Sequence, residues 1–345
     1  MNKCVRKNSN SIDLFKFIMA FAVVAIHTRP FIGDDGTVYE IYDSLVNLAV
    51  PFFFLSSGYL LMKRMDNSID TNVLYKHLIK MVKMYIFWMI IYSPMTIYRY
   101  IVNDLGFVKS VLYFCRGFFL LGQLYNSWHL WYLLATIYSL VLIVWLMKKD
   151  NIYIYIYLLY MCIFFIFVSI GLDGLVRIDD CSESLKMLQK IIKVSVGNGR
   201  IFRGMIYIPL GMELGGKRYK LSTMSNTLIL GISFVLNCFI KNIIISELLI
   251  IISSVCMFCL IVQIDLCDNE IYLILREMSS SIYFIHMYVW SFYYKLFYRE
   301  IHFGFEAFAI TAFISCILAF FSWKMKSIAL SFMLSKNDKT RMQQK

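Results

Sequence analysis

Apolar segments long enough to cross a bilayer recur along the whole chain. A transmembrane helix needs about 20 residues to span the hydrocarbon core. Of the 345 residues, 60% are hydrophobic and only 16% are charged, whereas soluble domains contain about 45–50% apolar and about 25% charged residues. A water-facing surface cannot accommodate so many apolar side chains, which excludes a soluble globule, a disordered chain and a collagen-like chain.

The sequence therefore predicts an all-α fold, a polytopic membrane helix bundle with about ten transmembrane helices. The predicted spans are 13–31, 44–62, 84–102, 128–147, 152–171, 201–216, 225–240, 243–264, 279–298 and 305–323. No internal repeat or second domain is visible. We expect a single membrane domain over 1–345, with a core at 11–325 and a short, basic, disordered cytoplasmic tail at 326–345.

The segment 107–121 is apolar, but it contains Lys109 and Arg116. We expect an interfacial or re-entrant helix there, because counting it as a span would reverse the orientation of every later span across the membrane. With the N-terminus inside and a long outer loop at 172–200, more Lys and Arg lie on the cytoplasmic side than outside. This agrees with the positive-inside rule and predicts that both termini are cytoplasmic.

The basic excess is a topology signal rather than a nucleic-acid signature. The net charge of +12 comes from 34 Lys and Arg against 22 Asp and Glu, and the basic residues form short clusters between apolar blocks. Such clusters orient membrane helices and contact anionic headgroups. We therefore expect membrane lipids as partners and no nucleic acid.

The nine cysteines are scattered through the chain. Cys256 and Cys259 lie three residues apart in a predicted span without nearby His or carboxylate side chains, which indicates core packing. Cys115 and Cys181 are both expected outside the cell, where a disulfide is possible. The sequence predicts no metal site.

Two ionisable residues in the first span are the most informative for chemistry. Lys16 and His27 are eleven residues apart, close to three helical turns, so they share one helix face about 16 Å apart. Ionisable side chains are costly inside a membrane and usually face the bundle interior. The alternatives are a Lys16 side chain that reaches back to the headgroups and a His27 imidazole that is only hydrogen-bonded in the core.

Five motifs occur in the order in which one family of membrane enzymes carries them. They are a basic-x10-His signature at Lys16 and His27, VPFFFLSSGY at 50–59, a basic pair at Lys76 and Lys80, HLWYL at 129–133 and SSSIYFIH at 279–286. With these motifs the sequence resembles the acyltransferase 3 family of bacterial integral membrane O-acyltransferases. It is similar to the short members that act on surface polysaccharides and to the membrane domain of vancomycin-resistance serine racemases.

The resemblance implies a multi-pass enzyme of the bacterial inner membrane. Such an enzyme moves an acyl group, most commonly acetyl, from cytoplasmic acyl-coenzyme A to a hydroxyl of an extracytoplasmic or lipid-linked glycan. Acetyl-CoA is then a donor substrate, and no cofactor is bound permanently. His27 is implied as the catalytic residue, either as general base or as carrier of the acyl group. Trp131, Tyr59 and Ser57 are candidate donors to a developing oxyanion.

The resemblance also implies that the donor phosphates meet Lys16, Lys76 and Lys80 at the inner face. Lysine replaces both arginines of the family's basic pair, and lysine binds phosphate as a point charge rather than as a bidentate fork. A basic cytoplasmic loop with no binding role is the alternative for Lys76 and Lys80.

Three residues are candidates for binding the acceptor: His129, Trp131 and Arg203. An aromatic belt at the outer interface explains His129 and Trp131 equally well. Arg203 either meets the acceptor or pairs with a carboxylate. His286 lies about two turns into its predicted span, where it either lines the donor path or packs.

Two other functions remain open. A transporter of a small solute, such as a serine uptake module, would be expected to show inverted repeats or broken spans, and neither is visible. A non-catalytic partner in polysaccharide assembly would tolerate the loss of His27.

Overall fold

The computed structural model describes residues 10–34, 36–65, 70–146, 182–197, 199–216, 222–240 and 242–343, and within these ranges the regular structure is helical, with no strand. The α-helices are α1 Asn10–Thr28, α2 Thr37–Val46, α3 Ala49–Arg64, α4 Thr71–Val102, α5 Phe107–Cys115, α6 Trp131–Leu146, α7 Glu183–Val196, α8 Ile201–Gly216, α9 Thr223–Phe239, α10 Ile243–Gln263, α11 Ile271–Phe297 and α12 Phe305–Gln343. A π-helical segment spans Arg116–Leu121 and a 3-10 turn spans Trp128–Leu130.

In the described part of the chain, six helical segments are long and apolar enough to cross a membrane. They are Asn10–Thr28, Thr37–Arg64, Thr71–Val102, Trp128–Leu146, Ile245–Gln263 and Phe305–Ile328. Together with the helical content, they make this an all-α membrane protein, as the apolar segments predict. The predicted span 152–171 lies outside the described residues, and the total of about ten spans stays a prediction.

The start of α4 corrects the prediction for the basic pair. The helix begins at Thr71, well before the predicted span 84–102. Its N-terminus is capped by Asp70, whose side chain accepts a hydrogen bond from the backbone N–H of Asn72 at 2.8 Å. Lys76 and Lys80 therefore lie on the first turns of a long helix and not in a loop.

Two helix ends also differ from the sequence prediction. α1 ends at Thr28, earlier than position 31, because a residue before proline disfavours the helical conformation; Arg29, which precedes Pro30, has a positive φ of 47°. At the other end of the chain, the backbone of α12 remains helical to Gln343, where disorder was expected. No glycine or proline follows Gly304, and the Lys, Leu, Met and Gln residues of this segment favour a helix.

The chain separates into two compact units, one formed by Met1–Val46 with Ile261–Lys345 and the other by Asn47–Leu260. In the first unit, α1 and α11 pack side by side and run in the same direction. Asp13 and Arg276 form an ion pair near the start of both helices, and His27 meets His286 further along. α12 returns antiparallel to α11.

The parallel packing of α1 and α11 restricts the topology. Two membrane helices that run in the same direction are separated by an odd number of crossings. The spans predicted between α1 and α11 are odd in number, and counting 107–121 as another span would make the number even. With the predicted spans, the packing agrees with an interfacial position for that segment, which stays a prediction.

The local structure of this segment points the same way. α5 contains no buried residue, and the π-helical segment after it ends at Gly122 in the left-handed conformation, with φ of 67°. The two pieces together extend about 22 Å at the helical rise per residue, less than the roughly 30 Å of the hydrocarbon core. Cys115 is exposed at the end of α5, and its possible disulfide partner Cys181 lies outside the described residues.

In the second unit, glycines bring α3 and α8 into backbone contact. A side chain at Gly58 would overlap the carbonyl oxygen of Ile208, and one at Gly211 would overlap that of Leu55. Small residues permit such close approach between membrane helices, where van der Waals packing replaces the hydrophobic effect. The glycine of the 50–59 motif therefore has a packing role.

Polar side chains join α9 to α10 in the same unit. The hydroxyls of Ser233 and Ser253 are 2.7 Å apart and buried, and the Ser246 hydroxyl donates to the side-chain oxygen of Asn237 at 2.7 Å. Hydrogen bonds between membrane helices contribute about 1 kcal/mol each. Serine residues thus stabilise this helix pair from within.

Candidate active site

The imidazole of His27 lies against that of His286. His27 is in the last turn of α1, and its ring centroid is 5.4 Å from that of His286 on α11, with 34° between the ring planes. His286 is completely buried, and His27 is partly buried. The contact places two ionisable rings together in the interface between two helices.

The hydrogen bond of His286 determines its tautomer. Its Nδ1 lies 3.1 Å from the backbone carbonyl oxygen of Ile282, one turn earlier on α11. A carbonyl oxygen only accepts, so Nδ1 carries the proton and donates it. In the neutral ring, Nε2 then carries a lone pair.

The chain beyond α11 returns to the end of α1 beside His27. The backbone N–H of Gly304 donates to the carbonyl oxygen of Thr28 at 2.9 Å. The indole N–H of Trp290, one turn after His286, donates to the backbone carbonyl of His302 at 2.9 Å. The 299–304 segment therefore ties the C-terminal ends of α1 and α11 together.

The opposite end of this helix pair is charged. The Asp13 carboxylate is buried and lies 3.8 Å from the guanidinium of Arg276. Lys16 follows Asp13 by three residues, almost one turn, and interacts with it electrostatically. The amide of Asn10 donates to the Cys267 carbonyl at 3.3 Å, which joins the start of α1 to the segment before α11. Two cations thus accompany one carboxylate about 16–21 Å along α1 from His27.

The other predicted donor-binding residues lie in the second unit. Lys76 and Lys80 are exposed and four residues apart, so they occupy one face of α4. Adjacent ammonium groups on one helix face can bind a phosphate without a fixed geometry. Their role in donor binding stays a prediction.

The predicted acceptor residues His129 and Trp131 are buried in the second unit. His129 is 2% exposed, and its ring meets that of Tyr92 at 5.3 Å in a T-shaped contact. Trp131 packs against Phe54 at 5.9 Å. Because an aromatic-belt anchor must face the lipid interface, burial argues against that alternative for both residues. Acceptor binding by them stays a prediction.

Arg203 has a carboxylate partner. Its guanidinium forms an ion pair and hydrogen bond with Glu247 of α10, and both side chains are mostly buried.

The hydroxyls proposed as oxyanion donors are also hydrogen-bonded or packed against other side chains. Ser57 is hydrogen-bonded to the Tyr132 hydroxyl at 2.9 Å, and the Tyr59 ring packs on Phe258 at 5.4 Å.

The sequence interpretation missed the contact of His286 with His27. It measured the depth of His286 from a span starting at 279, whereas α11 begins at Ile271. His286 is therefore fifteen residues into its helix, about 22 Å along it, and reaches the level of His27. The signal was present in the sequence, because the SSSIYFIH motif ends at this histidine.

No group of three or more His, Cys, Asp or Glu side chains that could hold a metal ion occurs among the residues that the structure describes.

No solved structure matches the chain. An amino-acid racemase of Enterococcus faecalis is 30% identical over 149 residues, which are 42% of this chain and 20% of the racemase. A serine/alanine racemase of Enterococcus gallinarum is 31% identical over 134 residues, 37% of this chain and 18% of that protein. The matches thus span about a fifth of each relative.

The family comparison covers much more of the chain. A family model described as an acyltransferase domain, Acyl_transf_3, matches residues 9–324. The matched range ends within α12 and contains the His27–His286 contact and the predicted donor residues. The chain belongs to the acyltransferase 3 family.

Proposed function

We propose that this protein is a multi-pass acyltransferase of the bacterial inner membrane that moves an acetyl group from cytoplasmic acetyl-CoA to a hydroxyl of an extracytoplasmic or lipid-linked glycan. The observation that carries the proposal is the contact of His27 with His286 between α1 and α11, inside a chain of an acyltransferase family. An imidazole titrates near neutral pH and therefore suits proton transfer.

In the proposed reaction, His27 removes the proton from the acceptor hydroxyl as its oxygen attacks the thioester carbonyl. The C–O bond forms and the C–S bond of the tetrahedral intermediate breaks. The sulfur leaves as thiolate and takes the proton from the His27 imidazolium. The products are the acetyl ester and free coenzyme A. In the alternative route, the imidazole attacks the thioester first and then passes the acetyl group to the acceptor.

The charged start of α1 supports entry of the donor from the cytoplasmic side. Lys16 and Arg276 supply positive charge there, and the rise of α1 separates Lys16 from His27 by about 16 Å. The extended pantetheine arm of coenzyme A suits this separation, with its phosphates at the charged end and its thioester near the imidazole. Lys76 and Lys80 are proposed to add a second cationic contact to the phosphates. His129 and Trp131 are proposed to bind the acceptor, and Arg203 is proposed to contact it while remaining ion-paired with Glu247.

A small-solute transporter, such as a serine uptake module, is the second candidate. The similarity to an amino-acid racemase and a serine/alanine racemase favours it. The family match, an acyltransferase domain over nearly the whole chain, favours the enzyme.

The test uses a strain of the natural host that lacks the chromosomal copy and carries the wild-type or variant gene. Acetate released by mild base from the envelope glycan fraction is measured by mass spectrometry, so the acceptor need not be known. We expect His27→Ala to lower the acetate by at least about 10²-fold at equal protein level, because the general base is lost.

His302→Ala is the matched control, an imidazole of the same unit whose side chain stacks on Tyr298. It should retain normal acetate. Normal acetate in the His27→Ala strain would show that His27 does not act in the chemistry, and transport or a scaffold role would then be favoured. Serine uptake in the same strains measures the transporter directly.

A further inference from the structure

We propose that His286 is a positioning residue for His27, whose ring it orients by accepting a hydrogen bond from it at Nε2. The inference rests on the proposed function, since it concerns how the catalytic imidazole is held. Three observations carry it: the ring contact, the tautomer of His286 and its burial.

The ring contact places His286 where it can act on His27. The ring centroids are 5.4 Å apart, so the two imidazoles are direct neighbours. In enzymes without substrate, catalytic hydrogen bonds are frequently longer than in the reacting complex and tighten when substrate binds. Rotation of the His27 ring about its side-chain torsions would bring one of its nitrogens to Nε2 of His286.

The tautomer gives the contact its direction. Because Nδ1 of His286 donates to the Ile282 carbonyl, Nε2 is an acceptor when the ring is neutral. It therefore accepts the N–H of the neutral His27 ring. The other nitrogen of His27 is left with the lone pair that takes the acceptor's proton. His286 thus selects the tautomer in which His27 acts as a base.

Burial makes the arrangement specific. His286 has no exposed surface, so water does not compete for the lone pair, and its helix sets the ring through a bond one turn away. A nucleophile or base oriented by a third group is the general arrangement of activated side chains. A neutral imidazole orients His27 without the cost of a buried carboxylate in a membrane.

Three substitutions separate this role from a structural one. In His286→Gln, the amide occupies the place of Nε2, and its oxygen can still accept from His27, while the bond to the Ile282 carbonyl is lost. In His286→Asn, the amide occupies the place of Nδ1 and keeps the bond to Ile282 but has no acceptor at the position of Nε2. His286→Phe keeps the ring volume and loses both bonds.

The measurement is transfer of radiolabelled acetyl from acetyl-CoA into the base-labile glycan fraction of membranes from the natural host at equal protein level. We expect kcat to fall by about 10²-fold in His286→Asn and His286→Phe, because a misplaced base loses its alignment. KM for acetyl-CoA should change by less than about twofold, since His286 does not contact the donor phosphates. His286→Gln should recover at least about tenfold of the kcat lost in the phenylalanine variant.

The pattern of recovery decides the question. If His286→Asn is more active than His286→Gln, the bond to Ile282 is what matters and the positioning role is wrong. Normal kcat in both the Asn and Phe variants also overturns it. If His27→Ala is inactive while all His286 variants are normal, only this inference fails and the proposed function stands.

Discussion

The carboxylate of Asp13 lies 3.8 Å from the guanidinium of Arg276, and this pair joins α1 to α11 at the end away from His27 and His286. The two side chains are unequal partners, because Asp13 is 1% exposed and Arg276 is 47% exposed. The pair therefore fixes the register in which α1 presents His27 to α11. It also leaves the arginine accessible to an anionic donor.

We predict that Arg276→Ala destabilises the protein, since it removes the ion-pair partner of a buried carboxylate. The expected cost is about 1–3 kcal/mol. Asp13→Asn in the Arg276→Ala background should recover part of this loss, because the buried group is then neutral. The measurement is the thermal unfolding midpoint of the detergent-solubilised protein for both single variants and the double variant. Midpoint shifts that add in the double variant would show that the two residues are not coupled.

The parallel course of α1 and α11 makes a topological prediction that native cysteines can test. Asn10 at the start of α1 contacts the Cys267 carbonyl, so Cys267 and the start of α1 lie on the same side of the membrane, which we predict to be cytoplasmic. Cys115 at the end of α5 is expected outside. Both cysteines are exposed. Variants in which one of the two is the sole remaining cysteine should react differently with a membrane-impermeant maleimide: Cys115 in intact cells, and Cys267 only after permeabilisation.

Labelling of Cys267 in intact cells would contradict cytoplasmic termini. Failure of Cys115 to react in intact cells would contradict the position that we predict for 107–121. A reporter fused after Lys345 should give a cytoplasmic signal in the same cells, because α11 and α12 are consecutive antiparallel helices.

The glycines between α3 and α8 predict a position-specific loss of stability. Gly58→Ala and Gly211→Ala should each cost about 1–3 kcal/mol, since the new methyl group meets a backbone carbonyl that cannot move aside. Gly231→Ala on α9 is the matched control, because no atom lies within 4 Å of the added methyl group. It should be neutral or stabilising by the gain in helix propensity. Thermal midpoints of the three solubilised variants give the comparison, and equal loss in all three would refute the packing role.

These residues also show how far the sequence alone could reach. The apolar segments predict the helices because lipid leaves the backbone few alternatives, and the basic-x10-His spacing places Lys16 and His27 on one helix. The neighbours of a residue on another helix are set by where that helix begins. In the sequence, the charged residues Arg276 and Glu277 favour a position outside the membrane span. In the structure both belong to α11, where Arg276 pairs with Asp13 and Glu277 pairs with Lys326. Hydropathy does not detect ion pairs between helices. The predicted span therefore starts later than α11 does, and the distance of His286 from the start of its helix was underestimated.

A second limit concerns glycine and arginine. Gly58 stands in a motif that the resemblance associates with function, but its contact with α8 comes from a helix distant in sequence. Arg203 was open to two interpretations, and the position of Glu247 on α10 decides that it has a carboxylate partner. Pairings between distant helices depend on packing that a single sequence does not encode in any local pattern.

The exposed pair Lys76 and Lys80 predicts salt-sensitive binding of coenzyme A. The double charge reversal Lys76→Glu and Lys80→Glu should weaken binding by the full-length protein by at least about tenfold at low salt, because attraction of the donor phosphates becomes repulsion. Raising the salt to 1 M, where the screening length is about 3 Å, should weaken the wild type and reduce the difference between the two. Isothermal titration with coenzyme A in lipid nanodiscs measures both effects.

The matched control for this prediction is the double charge reversal Lys186→Glu and Lys190→Glu on α7. These two lysines have the same four-residue spacing on an exposed helix, but they lie in the predicted outer loop 172–200. The control therefore has the same net charge as the test variant and should bind coenzyme A as the wild type does. If both double variants lose affinity equally, the effect is one of net charge, and Lys76 and Lys80 only orient the helix in the membrane. Unchanged affinity in the Lys76 and Lys80 variant leads to the same conclusion.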